Sequence, residues 1–403
     1  MQPSNAHQFK ARYIVPASVA LLLTFGRYGI TPILNVHTYL DTLMNLVVMV
    51  FAPLCACYGL LQRWSTYRFS RLLPIILLSF YVWVAIVFMS PPKYWPDRTH
   101  VISVCLSILL ASQISRDELR RVRHFMLMLA GLFSSLVLVY GHEAMTFIFS
   151  GKLKVRMGLK DDPYNVVLFP RILYVVILIC IITILIEKSI WIKIYAASCM
   201  VFPFIFAIAA ASRGPLVAFV VAIFVMVIGF NKIKEFIIAS VGMGLLSFIV
   251  YNIILNYFPL ILQRFKQGEG GRLKVWDVMF RSDYISLFGH GRTATYPHNV
   301  FIEFFYTYGV TGLALFLLVL ATSWLTVWRC YKKTGDKEVL WVICIFILQL
   351  TAQQSSLDIF LGATFWAAMV LPLGFRRETI PTATENEQHN VEIGRRMLVP
   401  ANT

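Results

Sequence analysis

Charge is scarce in this sequence. Of its 403 residues only 14% are Asp, Glu, Lys or Arg, while 58% are hydrophobic, which leaves too few polar side chains to coat a soluble protein of that size. A soluble globular chain is excluded, and a polytopic membrane protein remains. Cysteine is sparse where it would matter most. The seven cysteines, Cys55, Cys57, Cys105, Cys180, Cys199, Cys330 and Cys344, fall within apolar segments or at a basic helix end. None pairs with another in an outer loop, so neither a disulfide nor a zinc site is expected. Cys55-Ala56-Cys57 reads as small apolar residues in a helix. A cleavable leader is not expected either, because the apolar run from Ile14 to Leu23 leads to Gly26, Arg27 and Tyr28 instead of small residues suited to cleavage.

What the chain has in abundance is apolar stretches of membrane-spanning length, roughly 17 to 25 residues. About twelve can be read, near 11–31, 42–61, 72–90, 99–114, 122–149, 164–186, 190–211, 214–230, 234–257, 299–328, 338–354 and 356–375. The expected fold is all-α, with about twelve transmembrane helices in one domain over 1–375. A polar tail over 376–403 is expected to be disordered. Lys and Arg gather in alternate loops: Arg63/Arg68/Arg71, Arg116/Arg120/Arg121/Arg123, Lys188/Lys193, Lys232/Lys234, and Arg329/Lys332/Lys333/Lys337. Basic loops of that kind stay in the cytoplasm, so both termini are placed there. Much of the net charge of +16 is therefore topological, and no nucleic-acid partner is needed to explain it.

The remaining positive residues lie on the outer side. Lys152, Lys154, Arg156 and Lys160 suit contact with anionic headgroups. Arg213 and Arg272 read differently, because a guanidinium fork binds phosphate bidentately. Arg213 lies in Ser212-Arg213-Gly214-Pro215, where one span ends and the next helix N-terminus welcomes an anion. Arg272 follows Gly270-Gly271 at the start of RLKVWDVMF, whose Leu273, Trp276, Met279 and Phe280 have helical spacing. A short amphipathic helix anchored by Trp276 is expected there, in the loop before the tenth span. Asp161-Asp162, in MGLKDDPYN, is suited to a cation, a sugar or a helix cap, and His142-Glu143 sits in the outer part of the fifth span.

The sharpest signal is Pro297-His298-Asn299, where the long loop enters a span. Pro297 can close the loop, Asn299 can cap the helix, and an imidazole with an ordinary pKa of about 6.5 can accept a proton near neutrality. His290, in Gly289-His290-Gly291, is the alternative base. The bland reading is an interfacial histidine without chemistry.

Arg272-Leu-Lys-Val-Trp276, Phe288-Gly-His-Gly291, His298-Asn299-Val-Phe-Ile-Glu303 and Tyr308-Gly309-Val-Thr-Gly312 together resemble the shared domain of O-antigen ligases and O-antigen polymerases. The likeness is most specific over 270–320, and Ser212–Gly214 and Asp162-Pro-Tyr-Asn165 extend it upstream. The resemblance implies a bacterial inner-membrane glycosyltransferase of GT-C type, with 258–298 as its periplasmic catalytic loop. Its donor would be a glycan on undecaprenyl diphosphate, with no cofactor and no metal. By the family's pattern Arg213 and Arg272 match the diphosphate-binding arginines and His298 the base. Asp162, Asn165, Trp276, His290, Asn299 and Glu303 are the further substrate-binding candidates. The acceptor would be a lipid-linked repeat unit or the lipid A–core, with membrane lipids and a chain-length regulator as the other partners.

The segment between Gly291 and His298 is shorter than in many relatives, which leaves less room for a bulky lipid A–core and favours a polymerase over a ligase. A polysaccharide or lipid flippase is the reading from another class. It would show charged residues at mid-membrane depth or interrupted spans.

Overall fold

A computed structural model describes residues 5–25, 72–96, 98–140, 165–209, 213–230, 285–292, 297–354, 359–360 and 362–375, with Leu54, Tyr58, Val275, Trp276 and Met279. Among the described residues the chain is helical and has no strand. Ten α-helices follow in order: α1 (Asn5–Phe25), α2 (Leu73–Met89), α3 (Arg98–Ala111), α4 (Leu119–Tyr140), α5 (Asn165–Ile186), α6 (Ile190–Ala209), α7 (Arg213–Gly229), α8 (Val300–Thr334), α9 (Lys337–Gln353) and α10 (Ala363–Val370). Each coincides with an apolar stretch read from the sequence. The stretches near 42–61, apart from Leu54 and Tyr58, and 234–257 lie outside the described residues, so the full set of twelve does too. So do His142, Glu143 and the tail.

The bundle is turned inside out relative to a soluble protein. Phe80, Phe88, Trp191, Val217, Val220 and Phe224 are exposed on α2, α6 and α7, whereas Arg123 and Arg171 are 0% and 1% exposed. Apolar surface on that scale needs an apolar surrounding, which is what a helical membrane protein has. Among the described residues two helices, α6 and α8, are long and apolar enough to cross a membrane. α5 is the axis of the larger core: from Ile172 to Cys180 every side chain is buried, so it is apolar all round, as a central helix must be. It packs against α6, and α7 packs against α9. A second cluster joins α2, α8 and α10 through Ile75, Leu78, Phe304, Tyr308, Phe316 and Phe365.

Helix ends fix the α8–α9 hairpin. Asn299 caps α8, its side-chain oxygen accepting from Phe301 N and Ile302 N at 3.0 and 3.2 Å. Lys332 and Lys333 occupy the last turn, where the helix dipole favours positive charge. Gly335 ends it at φ 60°, donating to Tyr331 O, and Asp336 caps α9 by accepting from Glu338 N at 2.9 Å. The two long helices therefore run antiparallel with a two-residue joint.

Candidate functional site at the loop end of the bundle

α8 is not one helix. Gly309 has φ 71° and ψ −173°, which breaks the helix into 300–308 and 310–334 in a conformation open to glycine but not to ordinary side chains. From Val310 to Trp328, at about 1.5 Å per residue, the second part covers roughly 28 Å, close to a bilayer's apolar thickness of about 30 Å. The second part alone is therefore long enough to cross an apolar layer.

A loop crosses the break. His290 N and Gly291 N donate to Tyr306 O and Thr307 O, both at 3.0 Å, and Val310 N and Thr311 N donate to Ser286 O and Leu287 O, both at 3.1 Å. The main-chain groups released by the interruption are thus taken up by the loop, as buried backbone requires. The crossing is main chain against main chain. A Cβ on Gly289 would lie 2.4 Å from Thr307 O, and one on Gly309 would lie 2.4 Å from Gly289 N. His290 packs on Tyr306 with ring centroids 5.1 Å apart.

His298 stands just before the first part of α8. It is exposed and has φ 55°, the one non-glycine residue with positive φ among the described residues. That conformation costs an L-residue of this kind about 1–2 kcal/mol, and both neighbours hold it. The Trp276 indole donates to Pro297 O at 2.7 Å, and Asn299 is fixed by its cap. Trp276, read from sequence as a surface anchor, is here a support for the histidine's turn. The imidazole is accordingly exposed on a turn whose backbone is held from both sides.

Glu303 is 4% exposed and directed into the bundle, its Oε1 accepting from Ile359 N at 3.5 Å. The α9–α10 connection is held at other points as well. Trp366 Nε1 donates to Ile359 O at 2.8 Å, and the Arg292 guanidinium lies 5.0 Å from the Phe360 ring centroid. The Arg292 backbone is fastened separately, its N–H donating to Ser90 Oγ at 2.8 Å. Nearby in the chain, Gln353 at the end of α9 accepts from Arg171 Nη1 at 2.9 Å.

The structure thus brings together His290, His298, Asn299, Glu303 and the turn support Trp276 at one end of the bundle. Arg272, Asp161 and Asp162 lie outside the described residues. Arg213 and Asn165 open α7 and α5, but their side chains lie outside the description as well. Sequence reasoning missed Arg171, Tyr81 and Ser90. Arg171 carried a signal that could have found it, an ionisable residue inside an apolar span. Tyr81 and Ser90 carried none, since their partners are distant main-chain groups.

The opposite end holds a different cluster. Arg123, fully buried, donates from Nη2 to Glu187 Oε1 at 2.6 Å and to Glu338 Oε1 at 2.8 Å, and from Nε to Glu338 Oε2 at 2.9 Å. His124 Nε2 shares Glu187 Oε1 at 2.8 Å, and Arg116 pairs with Asp336 at 3.0 Å. Burial pushes the Glu187 carboxyl up, but the hydrogen bonds and charges of Arg123 and His124 outweigh it and hold its pKa at about 2. A structural ion-pair network is enough to perturb titration in this way. This one ties α4, α5 and α9 together.

The chain matches no family model, and no curated protein matches it significantly.

Proposed function

We propose that the chain is a glycosyltransferase that moves a polysaccharide from undecaprenyl diphosphate at the outer face of a bacterial inner membrane, polymerising lipid-linked repeat units. The observation that carries this reading is His298: an exposed imidazole, forced into a left-handed turn by a pinned proline and a capping asparagine, at the mouth of an apolar span. Backbone strain of that kind persists only where the surroundings over-determine it, and such residues cluster at functional sites. The motifs from Arg272 to Gly312 that resemble the O-antigen ligase and polymerase domain supply the substrate class.

The chemistry follows from the parts. A polyprenyl diphosphate leaves readily, so the transition state needs positive charge at the departing diphosphate more than it needs an acid. Arg213 and Arg272 are assigned that role. The acceptor hydroxyl must lose its proton as the new glycosidic bond forms, and His298 takes it. Attack in line at the anomeric carbon inverts its configuration.

The interrupted α8 is the one observation that favours a transporter, in which half-helix ends bind the cargo. Here, however, Val310 N and Thr311 N are occupied by Ser286 O and Leu287 O, and the buried Arg171 is engaged by Gln353 at the α9 terminus. The break is sealed by the chain itself.

Deleting the gene and separating the cell's lipopolysaccharide by electrophoresis tests the reading. A core bearing a single repeat supports a polymerase, and a core bearing none means a ligase. An unchanged pattern would remove both. Complementation with His298→Ala should fail although the variant inserts and accumulates, with transfer reduced by about 10² to 10⁴. Wild-type complementation by this variant would end the assignment of the base.

A further inference from the structure

The loop that crosses the break in α8 is fastened along its length to one neighbour, α2. Near its start, Tyr81 Oη donates to Tyr308 O at 2.7 Å, with Phe288 O at 3.3 Å as the weaker acceptor. A phenol has one proton, so the two carbonyls share it and are held beside each other. The Tyr81 ring also packs on the first turn after the break, where a Cβ on Gly312 would lie 3.2 Å from Tyr81 Cε1. One tyrosine on α2 therefore meets the last carbonyl before the break and the loop through its hydroxyl, and the first turn after the break through its ring. At the other end, Ser90 Oγ accepts from Arg292 N at 2.8 Å, and Gly291 lies so close to α2 that a Cβ there would meet Met89 O at 2.2 Å. Ser90 is itself fixed, its carbonyl accepting from Trp95 Nε1 at 3.0 Å.

We infer that Tyr81 and Ser90 are positioning residues: α2 is a splint that sets where the loop carrying His290 and Arg292 stands relative to the turn of His298. The inference rests on the glycosyltransferase reading, and goes beyond it by giving a role to a helix outside the 270–320 region that resembles the known domain. The geometry explains why a splint is needed. The four main-chain bonds of the crossing tie the loop to both parts of α8 and to no third element, so without α2 the loop and the broken stretch of α8 can shift together against the rest of the bundle. A hydroxyl on α2 that holds both Tyr308 O and the loop removes that freedom. Since a misplacement of about 1 Å can cost as much as 10²-fold in rate, the effect should appear in catalysis before it appears in folding.

The experiment compares Tyr81→Phe and Ser90→Ala with the wild type as full-length chains in nanodiscs. Each substitution deletes only the hydroxyl. Amide hydrogen exchange of peptides covering 285–292 and 306–311 reports the fastening, and transfer between undecaprenyl-diphosphate-linked repeat units reports its use. We expect faster exchange in both peptides and turnover lower by between about tenfold and 10²-fold, with apparent donor KM and the thermal midpoint little changed. Because both residues hold one loop, the double variant should lose less than the product of the single losses. Exchange equal to wild type, or full turnover despite faster exchange, overturns the inference. A fall in thermal midpoint with normal turnover of the folded fraction also overturns it, since that marks a merely structural tyrosine. If the wild type transfers nothing, the glycosyltransferase reading has failed, and the exchange data alone decide whether α2 is the splint.

Discussion

At one end of the α8–α9 hairpin, side chains close on side chains: Arg123 of α4, Glu338 of α9 and Glu187, just past the end of α5, meet there, with His124 at their edge. At the other end, main chain closes on main chain, with Gly289 and Gly309 giving up side chains so that the backbones can touch. The first device uses charge taken out of water, which is costly unless every partner is in place. The second uses neutral hydrogen bonds and restricted backbone. Under the proposed function the difference suits each end: an ion cluster holds helices together without leaving a vacant charge beside a substrate, whereas a backbone crossing sets a precise loop and leaves its side chains for chemistry. Substitutions at the two ends should therefore separate stability from activity.

The largest effect should come from Arg123→Met. The guanidinium is fully buried, and removing it leaves Glu187 and Glu338 facing each other without their shared cation. Breaking a buried pair from one side costs about 3–5 kcal/mol. Thermal unfolding in detergent should show a large drop in midpoint, while transfer per folded molecule stays near wild type. A stable variant with impaired transfer would mean that the ion cluster belongs to the catalytic machinery after all, and would erase the contrast between the ends.

Acid should find the same end first. Glu187 titrates near 2 when folded, against about 4.5 for a free glutamate. Because the folded carboxylate binds its proton less readily than the unfolded one, its contribution to stability is full above about pH 4.5 and is lost as the pH falls toward about 2. Thermal midpoints measured through that window should decline more steeply for the wild type than for Glu187→Gln, which starts lower and has no proton to gain at this position. Parallel curves would show that the cluster contributes no net pH-dependent stability.

The two ends also differ in how far the sequence disclosed them. The apolar stretches near 72–90, 164–186 and 338–354 became α2, α5 and α9 almost residue for residue, since helix and burial leave a compositional trace. Asn299 was legible as a cap because capping is local. Arg123 was read as one of a group of topological arginines, and nothing in its neighbourhood shows that it turns inward. Its partners are 64 and 215 residues away, and charge pairing at that distance leaves no pattern along the chain. The same holds for Tyr81, 227 residues from the carbonyl it serves. Tyr308-Gly309 was visible as part of a motif, but the motif does not say that the helix breaks there. That follows only once Gly289 is seen against it.

The smallest effect is the most discriminating, because it divides His298 into a backbone and a side chain. At φ 55° the residue occupies a region that glycine enters freely and histidine does not. His298→Gly removes the strain along with the imidazole. It also loosens the unfolded chain, which offsets part of the gain, so the net stabilisation should be about 1 kcal/mol or less, provided that the Trp276–Pro297 hydrogen bond survives. His298→Ala keeps the strain and loses the ring, so it should be no more stable than wild type. Both should lack transfer if the imidazole is the base. His298→Asn completes the set, since asparagine tolerates the left-handed region but cannot take the proton. Its stability should lie between those of the alanine and glycine variants, again without activity. Thermal unfolding ranks the three and a transfer assay reads their chemistry. A strained residue kept for catalysis gives that order of stability with uniform loss of function. Equal stability in all three would show that the turn carries no strain worth relieving, and the left-handed histidine would then lose its standing as the mark of the site.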